Sequence, residues 1–119
     1  MKKTLYSFPR ESRLLTPSCF SNVFEKAIPA VSPQLTLLAR HNSLENPRLG
    51  ITIAKKKVKK AVQRNRIKRC VRESFRLVAH NLPNVDIIVV AKQGVDSLDN
   101  KAIHQLLEKQ WQKIIKRCQ

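Results

Sequence analysis

The chain has 119 residues, a formal net charge of +16 at pH 7 and a hydrophobic fraction of 42%. This length predicts a single domain, residues 1–119, and the apolar content suffices for a core, which excludes a disordered basic tail. Such a charge is extreme for an enzyme of small molecules and is typical of proteins that bind RNA, DNA or an anionic membrane. The longest apolar run, residues 87–91, is far too short to span a bilayer, so we expect no membrane partner.

The N-terminus and the cysteines indicate a cytoplasmic location. The first ten residues are basic, but no apolar segment of signal-peptide type follows them. The three cysteines, Cys19, Cys70 and Cys118, are an odd number, widely spaced and without a Cys-x-x-Cys pair. We therefore expect reduced, mostly buried thiols.

The chain begins with a basic segment, residues 1–16, that follows no clear period and is predicted to be extended. Thr16 and Pro17 then predict a helix start, as N-cap and first helical residue. Phe20 and Phe24 lie four residues apart on the apolar side of this helix. They are either core residues or an aromatic pair that stacks on single-stranded bases.

Two strands are predicted next, over residues 34–40 and 48–55, with a polar connection of hairpin type at residues 41–47. A further short strand near Ala30 is an open alternative. One face of the second strand is apolar and the other consists of small residues, namely Gly50, Thr52 and Ala54. A face of small residues admits either a bulky partner or a covering helix.

The following stretch, residues 55–76, has Lys or Arg at half of its positions, and its only acid is Glu73. A helix predicted over residues 63–81 separates these cations from an apolar sector. That sector comprises Ile67, Cys70, Val71, Ser74 and Val78. The opposite side comprises Asn65, Arg69, Arg72 and Arg76, flanked by Arg66 and Lys68. Because a solvated face normally mixes acids with bases, this pattern favours a polyanion-binding helix.

The last third of the chain predicts a buried strand and a closing helix. Residues 86–92 form an apolar run typical of an interior strand that is covered on both faces. Gly94 turns the chain, and a helix is predicted from about residue 99 to residue 116. Its apolar stripe comprises Ile103, Leu106, Leu107, Trp111, Ile114 and Ile115. The fold class predicted from these elements is α+β.

No catalytic or metal-binding residue is assigned from the sequence. The eight acids are dispersed, whereas a two-metal nuclease needs several converging carboxylates. The three histidines are isolated, and Gly50 and Gly94 are too far apart to form a phosphate-binding loop.

A family resemblance is carried by residues 64–69, Arg-Asn-Arg-Ile-Lys-Arg, with Lys55 and Lys56 before them and Arg-Glu-Ser-Phe-Arg, residues 72–76, after them. These motifs resemble the signature of the bacterial ribonuclease P protein subunit. The similarity extends over nearly the whole chain, through Arg13 and the two phenylalanines to the strand at residues 86–91. It implies an α+β sandwich with a left-handed β-α-β crossover, similar to the second domain of ribosomal protein S5.

The resemblance also implies a function. In this family a large catalytic RNA, using Mg²⁺ that the RNA holds, removes the 5′ leader of precursor tRNA. The protein is a non-catalytic subunit, monomeric apart from the RNA, which binds both the catalytic RNA and the leader. Carried over to this chain, the residues for the catalytic RNA are Arg64, Asn65, Arg66, Lys68, Arg69 and Arg72. Those for the leader are Arg13, Phe20, Phe24, Lys55, Lys56 and Lys57.

One position departs from the family pattern. Leu38 stands where some members carry an aromatic residue on the first long strand, which leaves more of the base stacking to the two phenylalanines. Two other functions stay open: a ribosome-associated or general RNA-binding protein with the same fold, and a nuclease that acts without RNA.

Overall fold

The computed structural model describes residues 27–42 and 46–118, which form a four-stranded mixed sheet with two helices packed on one face. The strands are β1 (Ile28–Val31), β2 (Leu35–His41), β3 (Arg48–Thr52) and β4 (Val85–Ala91). The helices are α1 (Ala61–Val78), continued by a 3-10 turn at Ala79–Asn81, and α2 (Asn100–Arg117), preceded by a 3-10 turn at Val95–Ser97. The predicted α+β class is confirmed. The helix predicted to begin at Thr16 lies outside the described residues.

The sheet has the order β1-β2-β4-β3, with β4 antiparallel to β2 and parallel to β3. The predicted hairpin between β2 and β3 is therefore wrong, because β4 lies between them. The physical reason is the composition of β4, in which every residue except Val90 is buried. A strand this apolar is stable only where it is shielded from water, which favours a position between two other strands over one at the edge of the sheet. The interior position predicted for this strand is confirmed. The short strand expected near Ala30 is β1, which pairs with β2.

The parallel pairing of β3 with β4 places α1 in the connection between them. Parallel neighbours need such a crossover, since a tight turn joins only antiparallel strands. The β-α-β unit that the resemblance implied is thus present. Residues 53–60 connect the end of β3 to the start of α1.

The core lies between the sheet and the two helices. Leu35, Leu37 and Ala39 of β2 are buried, while the residues between them are partly exposed, as expected of a strand with one covered face. Of the predicted apolar stripe of α2, Ile103, Leu107, Trp111 and Ile114 are buried, and Leu106 and Ile115 pack against the same core. None of the described helices is long and apolar enough to cross a membrane.

Buried hydrogen bonds fix α2 against its neighbours. Trp111 donates through Nε1 to Ser74 Oγ at 2.7 Å, and its indole packs edge-on against Phe75 with ring centroids 5.9 Å apart. Gln110, which is 1% exposed, donates through Nε2 to the carbonyl of Leu35 at 3.0 Å. Because a buried donor without an acceptor is costly, these bonds restrict how α2 can rotate or slide.

Local sequence signals explain where α2 begins. Gly94 turns the chain with φ of 95°, a left-handed conformation that glycine adopts without steric cost. Asp99 is the N-cap, and its side chain accepts a hydrogen bond from the backbone N–H of Ala102 at 2.8 Å. The helix start predicted near this residue is confirmed.

Cys70 and Cys118 are free, buried thiols, as predicted, whereas Cys19 lies outside the described residues. Burial is the largest influence on both and raises the pKa of each thiol. For Cys70 the nearby Arg66 guanidinium opposes that rise. Both thiols are therefore protonated and poorly nucleophilic at neutral pH.

Asp86 of β4 forms a bidentate ion pair with Arg48 of β3. Its carboxylate accepts from Arg48 Nε at 2.8 Å and from Arg48 Nη2 at 2.6 Å. Asn42 Nδ2 donates to the same carboxylate at 2.8 Å. The Asp86 side chain is 10% exposed and the Arg48 side chain 23% exposed, so this pair is only partly screened by water.

We expect Asp86→Ala to destabilise the fold by about 3 kcal/mol, the lower end for a buried pair, since Arg48 retains some contact with water. The measurement is urea unfolding of the variant and of the parent protein. Glu108→Ala removes an exposed carboxylate and serves as the control, with an expected change within about 0.5 kcal/mol. Equal stability of Asp86→Ala and Glu108→Ala would contradict the anchoring role.

Candidate nucleic-acid interface

Helix α1 turns an apolar side to the core and a basic side to solvent. Its buried residues are Ile67, Cys70, Val71, Ser74 and Phe75. Its solvent side, called the outer face below, consists of Asn65, Lys68, Arg69, Arg72 and Arg76, all exposed or partly exposed. The predicted division of the helix is confirmed, because residues three and four apart share one side of an α-helix.

Two residues of the buried side differ from the prediction. Phe75 is 1% exposed but was not among the predicted core residues. The sequence spacing could have predicted its burial, because Phe75 follows the buried Val71 by four residues and so lies on the same side of the helix. Val78, predicted in that sector, lies at the end of the helix and is only partly buried against the core.

Burial holds the cations of α1 together against their mutual repulsion. Fully burying Ile67, Val71 or Phe75 contributes about 1.5–3 kcal/mol each. A pair of like charges four residues apart, such as Lys68 and Arg72, opposes the helix by only about 0.2–0.5 kcal/mol. Each buried side chain therefore contributes more to the position of α1 than one pair of like charges on the outer face opposes.

The side chains of the outer face leave an open depression between them. The five residues of this face and Glu73 line the depression, which has a volume of about 420 Å³. Arginine offers a planar fork that binds a phosphate through two hydrogen bonds, and lysine offers a compact point charge. The amide of Asn65 both donates and accepts. With a single carboxylate among four cations, the depression suits a polyanionic backbone.

Arg64 directs its guanidinium toward the turn before the helix, away from the outer face. Its Nη1 donates to the carbonyls of Val58 at 2.9 Å and of Lys59 at 2.8 Å. Both acceptors are main-chain oxygens with no helical partner of their own. Arg64 therefore shapes the entry to α1, while its charge adds to the positive field of the region.

Arg66 directs its guanidinium toward the start of α2. Its Nε donates to Gln63 Oε1 at 2.8 Å, its Nη1 to Asn100 Oδ1 at 2.8 Å, and its Nη2 to the carbonyl of Asp96 at 3.2 Å. Of the residues that the resemblance assigns to the catalytic RNA, the structure thus assembles four on the outer face: Asn65, Lys68, Arg69 and Arg72. It engages Arg64 and Arg66 within the protein.

Lys55, Lys56 and Lys57 form a turn between β3 and α1, where a longer strand had been predicted. The backbone N–H groups of Lys57 and Val58 donate to the Ala54 carbonyl at 2.9 and 3.1 Å, and Val58 is fully buried. The three lysine side chains are exposed. The turn therefore holds three cations in solvent beside the N-terminus of α1.

The sheet face opposite the helices carries the small residues of β3. Gly50 lies beside Ile88 of β4, which pairs in turn with Leu38 of β2. Leu38 and Thr52 are partly exposed on this face. The other predicted leader-binding residues, Arg13, Phe20 and Phe24, lie outside the described residues.

Two of the five described carboxylates make structural contacts, since Asp86 pairs with Arg48 and Asp99 caps α2. Within residues 27–42 and 46–118, no three His, Cys, Asp or Glu side chains lie close enough together to hold a metal ion.

Comparisons with known proteins agree with one another. Residues 8–115 match the family model described as Ribonuclease P. A ribonuclease P protein component from Pseudoalteromonas atlantica is 63% identical over 113 residues, which cover 95% of this chain and 94% of that protein. One from Escherichia coli O157:H7 is 57% identical over 107 residues, which cover 90% of each chain.

Solved structures lead to the same family. The Staphylococcus aureus RNase P protein superposes with a TM-score of 0.81 at 31% identity, covering 88% of this chain and 95% of that one. The Thermotoga maritima RNase P protein gives a TM-score of 0.76 at 28% identity, covering 86% and 96%. Sequence and structure match over nearly the full length of these proteins, and the chain therefore belongs to the ribonuclease P protein family.

Proposed function

We propose that this ribonuclease P protein component binds the catalytic RNA of ribonuclease P through the outer face of α1. The observation that carries the proposal is the basic depression on that face, lined by Asn65, Lys68, Arg69, Arg72, Glu73 and Arg76. Its cations are spaced along a helix that the core holds rigidly, so a folded RNA backbone meets several donors at once. Arg76, which the resemblance did not assign, belongs to the same surface.

In this proposal the RNA performs the cleavage that removes the 5′ leader of precursor tRNA, with Mg²⁺ held by the RNA. The protein contributes binding, in the cytoplasm and as a monomer apart from the RNA. The structural use of Asp86 and Asp99 supports this division, because both carboxylates already serve the fold. A protein subunit that only binds still accelerates cleavage when it improves substrate positioning and neutralises phosphate repulsion.

The leader of precursor tRNA is proposed to bind elsewhere on the protein. Lys55, Lys56 and Lys57 would contact its phosphates, together with Arg13, while Phe20 and Phe24 would stack on its bases. The exposed lysine turn supports this assignment, because it lies at the end of β3 and outside the outer face of α1. The protein would then hold two RNA molecules on two different surfaces.

The proposed function is tested by mixing the purified protein with precursor tRNA and Mg²⁺, with and without the catalytic RNA. We expect the protein to stimulate cleavage by the RNA at low Mg²⁺ and to cleave nothing alone. The holoenzyme should bind precursor tRNA more tightly than mature tRNA, since only the former has a leader. Cleavage by the protein alone would contradict the proposal, and an absence of stimulation would favour a general RNA-binding protein.

The docking surface is tested by the salt dependence of binding to the catalytic RNA. Because each phosphate contact releases condensed counterions, Arg72→Ala should weaken binding and lower the slope of log K against log salt by about one unit. Lys113→Ala removes the same charge from the exposed side of α2 and is the matched control, with a smaller expected change. Equal changes in slope for the two variants would mean that RNA binding depends only on the net charge of the protein, which would contradict docking on the outer face.

A further inference from the structure

The first turns of α1 lack the contacts that usually secure a helix start. The N-cap residue, Lys60, makes no side-chain cap hydrogen bond, and the first turn carries no acid to complement the helix dipole. Val58 and Ile67 are fully buried, but none of residues 59–66 between them is. This segment therefore begins a helix without a side-chain cap and without a buried apolar residue of its own, and Arg64 ties it only to the residues just before it.

Arg66 supplies a tertiary contact for this segment. Its two bonds outside α1 reach Asn100 Oδ1 and the carbonyl of Asp96, which lie 34 and 30 positions away in the chain. Both acceptors belong to regular structure. Asn100 is the first residue of α2, directly after the N-cap Asp99, and Asp96 lies in the 3-10 turn that precedes this helix. The three nitrogens of the Arg66 guanidinium donate to these two acceptors and to Gln63 on the same helix. A lysine at this position has one donor nitrogen and could not reach all three acceptors in this geometry.

We propose that Arg66 and Asn100 form a staple that fixes the first turns of α1, and that Asn100 is thereby a positioning residue for RNA docking. This rests on the proposed docking of RNA to the outer face. Asn65 precedes Arg66 and Arg69 follows it by three residues, so the staple sets how both are presented. A surface that is ordered before binding loses less conformational entropy when RNA docks.

The staple differs from a direct contact between Arg66 and a phosphate in a measurable way. In the staple, Nε, Nη1 and Nη2 of Arg66 are all engaged by protein acceptors. A phosphate contact by Arg66 would add about one unit to the salt slope, whereas a positioning residue adds none. Asn100 is uncharged, so Asn100→Ala alters the staple without altering the charge.

The test uses the full chain, single variants at Asn100 and Arg66, and the double variant Asn100→Ala with Arg66→Lys. Arg66→Ala removes the guanidinium and its charge together. Asn100→Ala removes the acceptor, Arg66→Lys keeps the charge but loses the fork, and Asn100→Asp keeps an acceptor oxygen. Gln105→Ala, on the exposed side of α2, is the control. Two quantities are measured: affinity for the catalytic RNA over a range of salt, and exchange of the helical amides of residues 64–66 in the free protein.

We expect Asn100→Ala and Arg66→Lys each to weaken RNA binding roughly threefold to tenfold, at an unchanged salt slope. Both should also accelerate hydrogen exchange at the amides of residues 64–66, which are the first in α1 with helical acceptors. The double variant should lose little more than either single one, since both remove the same contact. Asn100→Asp should stay within about twofold of the parent protein, and Gln105→Ala should match it.

Unchanged affinity for both Asn100→Ala and Arg66→Lys would overturn the positioning role. Unchanged hydrogen exchange in those variants would overturn the staple itself. A loss of about one slope unit in Arg66→Ala, with Arg66→Lys like the parent protein, would show a direct phosphate contact instead. If the parent protein fails to bind the catalytic RNA, the proposed function fails, while the exchange measurement still decides whether the staple exists.

Discussion

The burial of one side of α1 against the sheet and α2 is the constraint on which the other features of the molecule depend. Ile67, Val71 and Phe75 fix the rotation of the helix about its axis, and the directions of the cations follow from the helical period. A rotation by one residue, about 100°, would carry arginines toward the core. Burying an unpaired charge opposes such a rotation far more strongly than surface repulsion favours it. The concentration of positive charge on one face is therefore a consequence of core packing.

The rest of the fold serves to hold that helix in place. β4 is shielded on both edges by β2 and β3, and Asp86 ties it to Arg48 of β3. The Trp111 indole secures α2 to Ser74 and Phe75 on the buried side of α1. With α1 supported in this way, its outer face presents the cations on a fixed framework, as the proposed docking of RNA requires. A bound polyanion in turn relieves the repulsion among the cations and stabilises the folded chain by mass action.

Features that depend on local periodicity could be predicted from the sequence, and those that depend on distant contacts could not. The two sides of α1 and the buried stripe of α2 follow from residue spacing within one helix. The place of β4 between β2 and β3 is a pairing between strands distant in sequence, so the hairpin expected from proximity was wrong. The direction of the Arg66 guanidinium was also unpredictable, since its acceptors, Asn100 and the Asp96 carbonyl, belong to the segment that follows β4.

The central claim is that RNA docks on the outer face of α1 because the core holds that face outward. It is tested most directly by chemical modification of arginine and lysine side chains, read by mass spectrometry with and without the catalytic RNA. We predict strong protection of Arg69, Arg72 and Arg76, with little change at Lys109 and Lys113 on the exposed side of α2. Equal protection of both helices, or protection confined to α2, would contradict the claim.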